Sequence, residues 1–224
     1  MGAEWLSISV KVITLSVLAI GAQPPDPDVE QALASGRARA AGGDVVAQFS
    51  IGSFLYYGTR ETAQAIEWFR KAAAQGYAPA EFQMGQLYDF GFGVAQSDAQ
   101  ALAWYRKAAE HGSVAGQRSV ADFYRKGRAV PSDLAEAARW YRRAAEGDDI
   151  RAQAELGQLY MSGAGVARDY RSAYVWFAIA AGQAPLLDNR AQLIELRNVA
   201  AGRLTPSELA AAERRVALWK PAVK

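Results

Sequence analysis

Residues 104–112 read WYRKAAEHG, and the chain writes variants of this stretch three more times: WFRKAAAQG at 68–76, WYRRAAEGD at 140–148 and WFAIAAGQA at 176–184. The tryptophans stand at 68, 104, 140 and 176, a step of 36 residues each time. A fixed period of this length marks a copied supersecondary unit. Extending outward from the tryptophans gives units at 78–113, 114–149 and 150–185, equal in length and without gaps. A first unit at 45–77 is about three residues shorter in its mid-repeat loop.

Each unit carries two helical patterns. In the second, Ala80, Met84, Gly85 and Tyr88 form the front stripe, and Ala101, Trp104, Tyr105, Ala108 and Ala109 form the back stripe. Both have the spacing of one apolar helix face. Gly91-Phe92-Gly93 and Gly163-Ala164-Gly165 lie between the halves, where glycine suits a helix stop with positive φ. Asp98 and Asp133 fall where the back helix begins, the end at which an acid is favourable. One such hairpin cannot cover its own stripe, whereas stacked neighbours can. The expected fold is therefore all-α, a solenoid of antiparallel helix pairs, with Trp104 and its counterparts wedged inside. The fourth copy replaces Arg106-Lys107 by Ala178-Ile179, so a following segment is expected to cover it. Leu186–Ala201 has a helical pattern, and Thr205-Pro206-Ser207-Glu208 reads as a capping box opening a last helix with Leu209, Ala212, Val216 and Trp219 on one side. Asp28–Ala41 reads as a leading helix stopped by Gly42-Gly43. The expected layout is a leader at 1–22, a linker and capping helix at 23–43, four repeats over 44–184 and capping helices at 185–224.

The pattern A-x-x-x-L-G-x-x-Y…G-x-G-V…A-x-x-W resembles the Sel-one-like repeat, a relative of the tetratricopeptide repeat. It is carried by Ala152, Leu156, Gly157, Tyr160, Gly163, Gly165, Val166, Ala173 and Trp176 in the fourth copy. In the second copy the same places hold Ala80, Met84, Gly85, Tyr88, Gly91, Gly93, Val94, Ala101 and Trp104. The third copy departs at Ala121, in place of the helix glycine, and at Ala129, in place of the second loop glycine, so a distorted loop is expected there. The resemblance implies a right-handed superhelix and a role in binding other proteins, as an adaptor in signalling, envelope or secretion-related complexes.

The chain's 224 residues are 51% hydrophobic and 21% charged, a globular composition, and the net charge of +2 gives no ground for a nucleic-acid partner. Val12–Ala22 is an apolar stretch of signal-peptide length, broken by Gln23-Pro24-Pro25-Asp26-Pro27. Export with cleavage, to the periplasm or beyond, is the expectation. An uncleaved membrane anchor confined to residues 1–22, or a buried start, is the alternative.

With no cysteine and a single histidine, His111, neither a Cys–His pair nor a thiolate or multi-His zinc site can be assembled. No serine is followed three residues later by lysine, and no Lys-Thr-Gly occurs, which weighs against a β-lactam-binding or hydrolytic member of the family. The glycine runs follow helices and recur with the repeat, unlike phosphate-binding loops. The expectation is a binding protein with no catalytic residue, cofactor or metal. Its partner, a protein or peptide, would lie along the front helices, which by analogy with tetratricopeptide repeats line the concave side. The residues off the packing stripe are Phe49, Ser53, Tyr56 and Tyr57 in the first copy and Phe82, Gln86, Asp89 and Phe90 in the second. They are Arg118, Asp122, Arg125 and Lys126 in the third, and Arg151, Gln158 and Met161 in the fourth. Aromatics and arginine are typical anchors of such surfaces. A structural or regulatory subunit that joins an assembly through its outer face is the remaining reading.

Overall fold

Most of the described helix starts are set by short polar side chains that accept the otherwise unbonded first N–H groups, though Glu61 and Tyr77 open their helices without such a bond. The computed structural model describes residues 27–183 and 190–220, so the apolar leader and the expected start of the helix at Leu186 lie outside the described residues. Among the described residues, every regular element is helical. The chain forms two compact units, up to His111 and from Gly112 onward.

The first unit holds α1 (Pro27–Ala41), α2 (Val45–Ser53), α3 (Thr62–Ala74), α4 (Ala78–Phe90) and α5 (Asp98–Glu110). Asp44 caps α2 by accepting from the Ala47 N–H at 2.9 Å, and Ser97 caps α5, with Asp98 as its first helical residue as the sequence predicts. The shorter first repeat has no Gly-x-Gly loop. Instead α2 widens into a π-helical turn, Phe54–Thr59, closed by Arg60 in the left-handed conformation. The second unit holds α6 (Val114–Lys126), α7 (Leu134–Glu146), α8 (Ile150–Ser162), α9 (Tyr170–Gln183), α10 (Arg190–Ala201) and α11 (Pro206–Ala217). Ser113, Asp133 and Asp149 cap α6, α7 and α8, and the Thr205–Glu208 capping box opens α11 as the sequence predicts.

Neighbouring helices pack as hairpins around a shared device. An aromatic ring from each back helix, Phe69, Tyr105, Tyr141 or Phe177, is almost wholly buried. In the first, second and fourth repeats it lies against Gly52, Gly85 or Gly157 of the front helix, and in the third Ala121 and Tyr141 belong to one buried cluster. A Cβ on Gly85 would sit 2.5 Å from the Tyr105 ring, and one on Gly157 would sit 2.8 Å from Phe177, so the glycine is what lets the ring in. This corrects the expectation for the tryptophans. Trp68, Trp104 and Trp140 are only half-buried, at the border of the packed stripe, and the residue after each of them is the wedge. Each of these three indoles carries a cation from one turn further on: Lys71 at 4.3 Å, Lys107 at 4.4 Å and Arg143 at 4.5 Å. A desolvated face of Trp is the best side-chain partner for such a charge.

The fourth repeat breaks this pattern as expected. Trp176 is buried, Ile179 replaces the cation, and Trp219, just past the end of α11, meets Trp176 edge-on at 5.1 Å. The loop of the third repeat, in contrast, is not distorted. Ala129 takes φ +60°, the conformation of Gly93 (+73°) and Gly165 (+71°). Bonds from the Arg128 N–H to the Phe123 carbonyl and from the Asp133 N–H to the Tyr124 carbonyl, both 3.0 Å, hold the turn around it.

Candidate protein-interaction surface

In the first unit, five of the eight front-helix positions off the packing stripe are aromatic, and these five divide into two kinds. Phe49, Tyr56 and Phe82 are half-buried and lie on the wedge rings: Phe49 and Tyr56 on Phe69 at 5.6 and 6.2 Å, Phe82 on Tyr105 at 5.5 Å. They complete the packing more than they face solvent. Tyr57 and Phe90 are different, 57% and 59% exposed. Tyr57 stands edge-on to Tyr56 at 4.8 Å and its hydroxyl donates to Gln83 Oε1 at 3.2 Å, which ties the first front helix to the second. Phe90 stacks on Phe92 at 5.7 Å, and Phe92 is itself 53% exposed. Phe92 was missed by reasoning from helix stripes because it sits in the turn. Its counterparts, Arg128 and Ala164, mark it as the odd member of its column. Ser53, Gln86 and Asp89 are partly exposed, and Asp89 accepts from the Tyr105 hydroxyl at 3.1 Å.

In the second unit the expected basic surface is largely knitted into the protein. Arg118 Nε donates to Asp149 Oδ2 at 3.0 Å and its Nη1 lies 3.7 Å from Asp122. Arg125 Nε donates to the Tyr141 hydroxyl at 2.9 Å and lies 3.9 Å from Glu155, with Nη2 3.8 Å from Asp122. The Tyr141 hydroxyl in turn donates to Asp122 Oδ1 at 2.5 Å. Arg118, Asp122 and Arg125 are thus brought together, joined by Tyr141, Asp149 and Glu155, which the stripe reading did not include. Burial, followed by the bond to the Asp122 carboxylate, pushes the Tyr141 hydroxyl far above its ordinary pKa. Burial opposes the charge on Arg125, but Tyr141, Glu155 and Asp122 outweigh it and raise its pKa. Lys126, Arg151 and Gln158 are exposed, while Met161 is half-buried against the core. Among the described residues no group of acids and histidine could hold a metal ion, and no helix is long and apolar enough to cross a membrane.

His111 does not stand alone. Its Nδ1 is 2.7 Å from Glu81 Oε2, and the Glu81 side chain is buried. The same two columns hold Gln48 and Gln75 in the first repeat, where the amides bond at 2.8 Å. The pair therefore continues a structural position that the first repeat fills with two amides.

Four consecutive segments, residues 45–77, 78–113, 114–149 and 150–184, match the family model described as Sel1 repeat. No curated protein matches the chain. Among solved structures, a Sel1 repeat protein from Oxalobacter formigenes is similar, with 28% identity over 91% of this chain and 88% of that one and a TM-score of 0.64. A protective antigen of uropathogenic Escherichia coli strains displaying an SLR fold is 28% identical over 96% of this chain and 57% of that one, with a TM-score of 0.49. A sel1 repeat protein from Klebsiella pneumoniae is 23% identical over 81% of this chain and 98% of that one, with a TM-score of 0.44.

Proposed function

Since this chain belongs to the Sel1 repeat family, whose repeats generally mediate protein–protein interaction and are generally non-catalytic, we propose that it is an adaptor holding a peptide or protein partner along its front helices. The observation that carries this reading is the stacked pair Phe90 and Phe92, large aromatic side chains held in solvent beside a tight turn. Rigid exposed aromatics give much contact area at small entropic cost, and such residues anchor interfaces. Tyr57 extends the apolar character of this face in the first unit. In the second unit the polar anchors are Lys126, Arg151 and Gln158. Arg118 and Arg125 contribute by holding shape, since their charges are matched by Asp122, Asp149 and Glu155. We propose in addition that the protein acts in the bacterial cell envelope after export, a reading supported by the apolar run Val12–Ala22 and the proline break after it.

The test is crosslinking of the full chain to its partners in cells, followed by mass spectrometry, with three variants side by side. Phe90→Ala/Phe92→Ala and Lys126→Glu/Arg151→Glu should each lose the crosslinked partner. Lys71→Glu/Lys107→Glu, which alters only the back helices, should keep it. If only the back-helix variant loses the partner, the outer face binds and the front-helix reading is wrong. N-terminal sequencing of the mature protein tests export: a start at Ala22 or Gln23 supports it, and an intact Met1 refutes cleavage.

A further inference from the structure

At the end of the second unit, α11 and Trp219 cover the part of α9 that holds Trp176. In the first three repeats the indole at the border of the back helix is covered by a cation of its own helix. In the fourth, Ala178-Ile179 remove the cation, and an amphipathic helix, α11, lies there instead. Its contacts are few. Ala212 is its one buried residue, and Leu209, Val216 and Trp219 are half-buried. The Arg171–Glu208 pair, 3.3 Å apart, is exposed on both sides, and pairs of that kind contribute little. By contrast α9, the helix it covers, buries nine residues. Trp219 is also imperfectly accommodated. Its Nε1 is shielded from solvent and has no hydrogen-bond partner, an unfavourable state for a buried donor.

We propose that the α9 face around Trp176 is a helix-docking site which α11 occupies in cis and yields to a partner helix. The partner it fits is amphipathic, with an acid, three aliphatic residues and a tryptophan at the spacing of Glu208, Leu209, Ala212, Val216 and Trp219. A partner that brings an acceptor for the indole N–H gains a bond that α11 lacks. The cation three residues after Trp68, Trp104 and Trp140 excludes the same helix from the earlier repeats, because docking there would bury an ammonium or guanidinium group without a counter-charge. The site is separate from the front-helix surface and is open only when α11 has left it. A tethered helix competes at an effective concentration in the millimolar range, so α11 sets the threshold that a partner must exceed.

Hydrogen exchange on the intact wild-type chain is the first test. Amides of α11 should exchange at least tenfold faster than those of α8 and α9, and equal protection would overturn the proposal. The second uses a fluorescein-labelled peptide of residues 205–220 and the full chain. By anisotropy, Trp219→Ala and Ala212→Glu chains should bind it at least tenfold tighter than wild type. The same peptide carrying Trp219→Ala should bind none of them. If both variants keep the helical circular dichroism of the repeats and neither captures the peptide, the site does not exchange and the proposal fails.

Discussion

Replacing Tyr141 by phenylalanine removes one oxygen atom from the second unit, and the structure says what that atom contributes. The ring position itself accepts phenylalanine, since Phe69 and Phe177 fill the equivalent place and are fully buried. The oxygen, however, donates to Asp122 at 2.5 Å and accepts from Arg125 Nε at 2.9 Å. Without it a part-buried carboxylate and a part-buried guanidinium each lose a partner, and the expected cost at neutral pH is about 1–3 kcal/mol. The pH dependence separates this account from a packing defect. Burial and Asp122 hold the hydroxyl's pKa in the folded protein above that of the unfolded chain, about 10. The stabilisation is therefore complete below pH ~10 and is lost as pH rises, at about 1.4 kcal/mol per pH unit, while the unfolded tyrosine ionises and the folded one does not. The variant has no such group. Urea unfolding followed by circular dichroism at pH 7, 9 and 11 should show the gap between the two proteins narrowing by about 1.4 kcal/mol from pH 9 to 11. Tyr56 and Tyr174, whose pKa values are also raised, are present in both proteins and cancel. A neutral-pH difference below about 0.3 kcal/mol, within the scatter of inert surface changes, would refute the network. A gap that stays constant to pH 11 would refute its electrostatic origin.

Ala129→Gly should raise stability by about 1 kcal/mol, because it relieves an alanine held at φ +60°. Gly165→Ala, the converse change at the equivalent place, should lower the thermal midpoint by several degrees, since its Cβ would run into the backbone of Leu134. His111→Ala should cost about 1–3 kcal/mol in urea unfolding by leaving buried Glu81 without its partner, and Glu81→Gln/His111→Gln should restore the loss by copying the Gln48–Gln75 bond. In acid, stability should hold down to about pH 5 and then fall. Asp44 and Asp169 have pKa values held below the ordinary range, the first chiefly by the Ala47 N–H; burial pushes the second up, but bonds from the Ser172 hydroxyl and the Ser172 and Arg171 N–H groups outweigh it, so the contribution of both is present above the unfolded value near 4 and lost below it. Asp169 accepts from the Arg171 and Ser172 N–H groups at the start of α9, so Asp169→Asn keeps a capping side chain without the titration and should flatten part of that acid limb.

The period of the chain was legible because tryptophan is rare and bulky, and a copied residue of that kind marks every repeat. Which aromatic of each Trp-Phe or Trp-Tyr pair becomes the wedge was not. Adjacent positions on a helix differ by about 100°, and a stripe wide enough to include both does not rank them. The clue was the cation three residues after Trp68, Trp104 and Trp140, since such a charge cannot follow an indole into a core. Ala129 misled for a related reason. The rule that glycine fills left-handed positions gives the conformation at lowest cost, but the flanking Gly127 stop and the bonds to Phe123 and Tyr124 impose it on alanine as well. The front-helix positions off the packing stripe were assigned by register alone. The Arg118–Asp122–Arg125 network was not, because Tyr141, Asp149 and Glu155 come near those residues only after α6, α7 and α8 have packed.

The three cation-covered indoles also bear on how such a chain can lengthen. A second or third repeat brings its own cover for its tryptophan, so a duplicated copy of either leaves no greasy residue in want of shelter. The fourth repeat has surrendered that independence: Ala178 and Ile179 belong to a cluster completed by residues of the last two helices and by Trp219. Duplicating it would place an isoleucine in water at every internal copy. Growth by recombination is therefore open upstream of residue 150 and closed after it, and the identity of two residues decides which module must always come last.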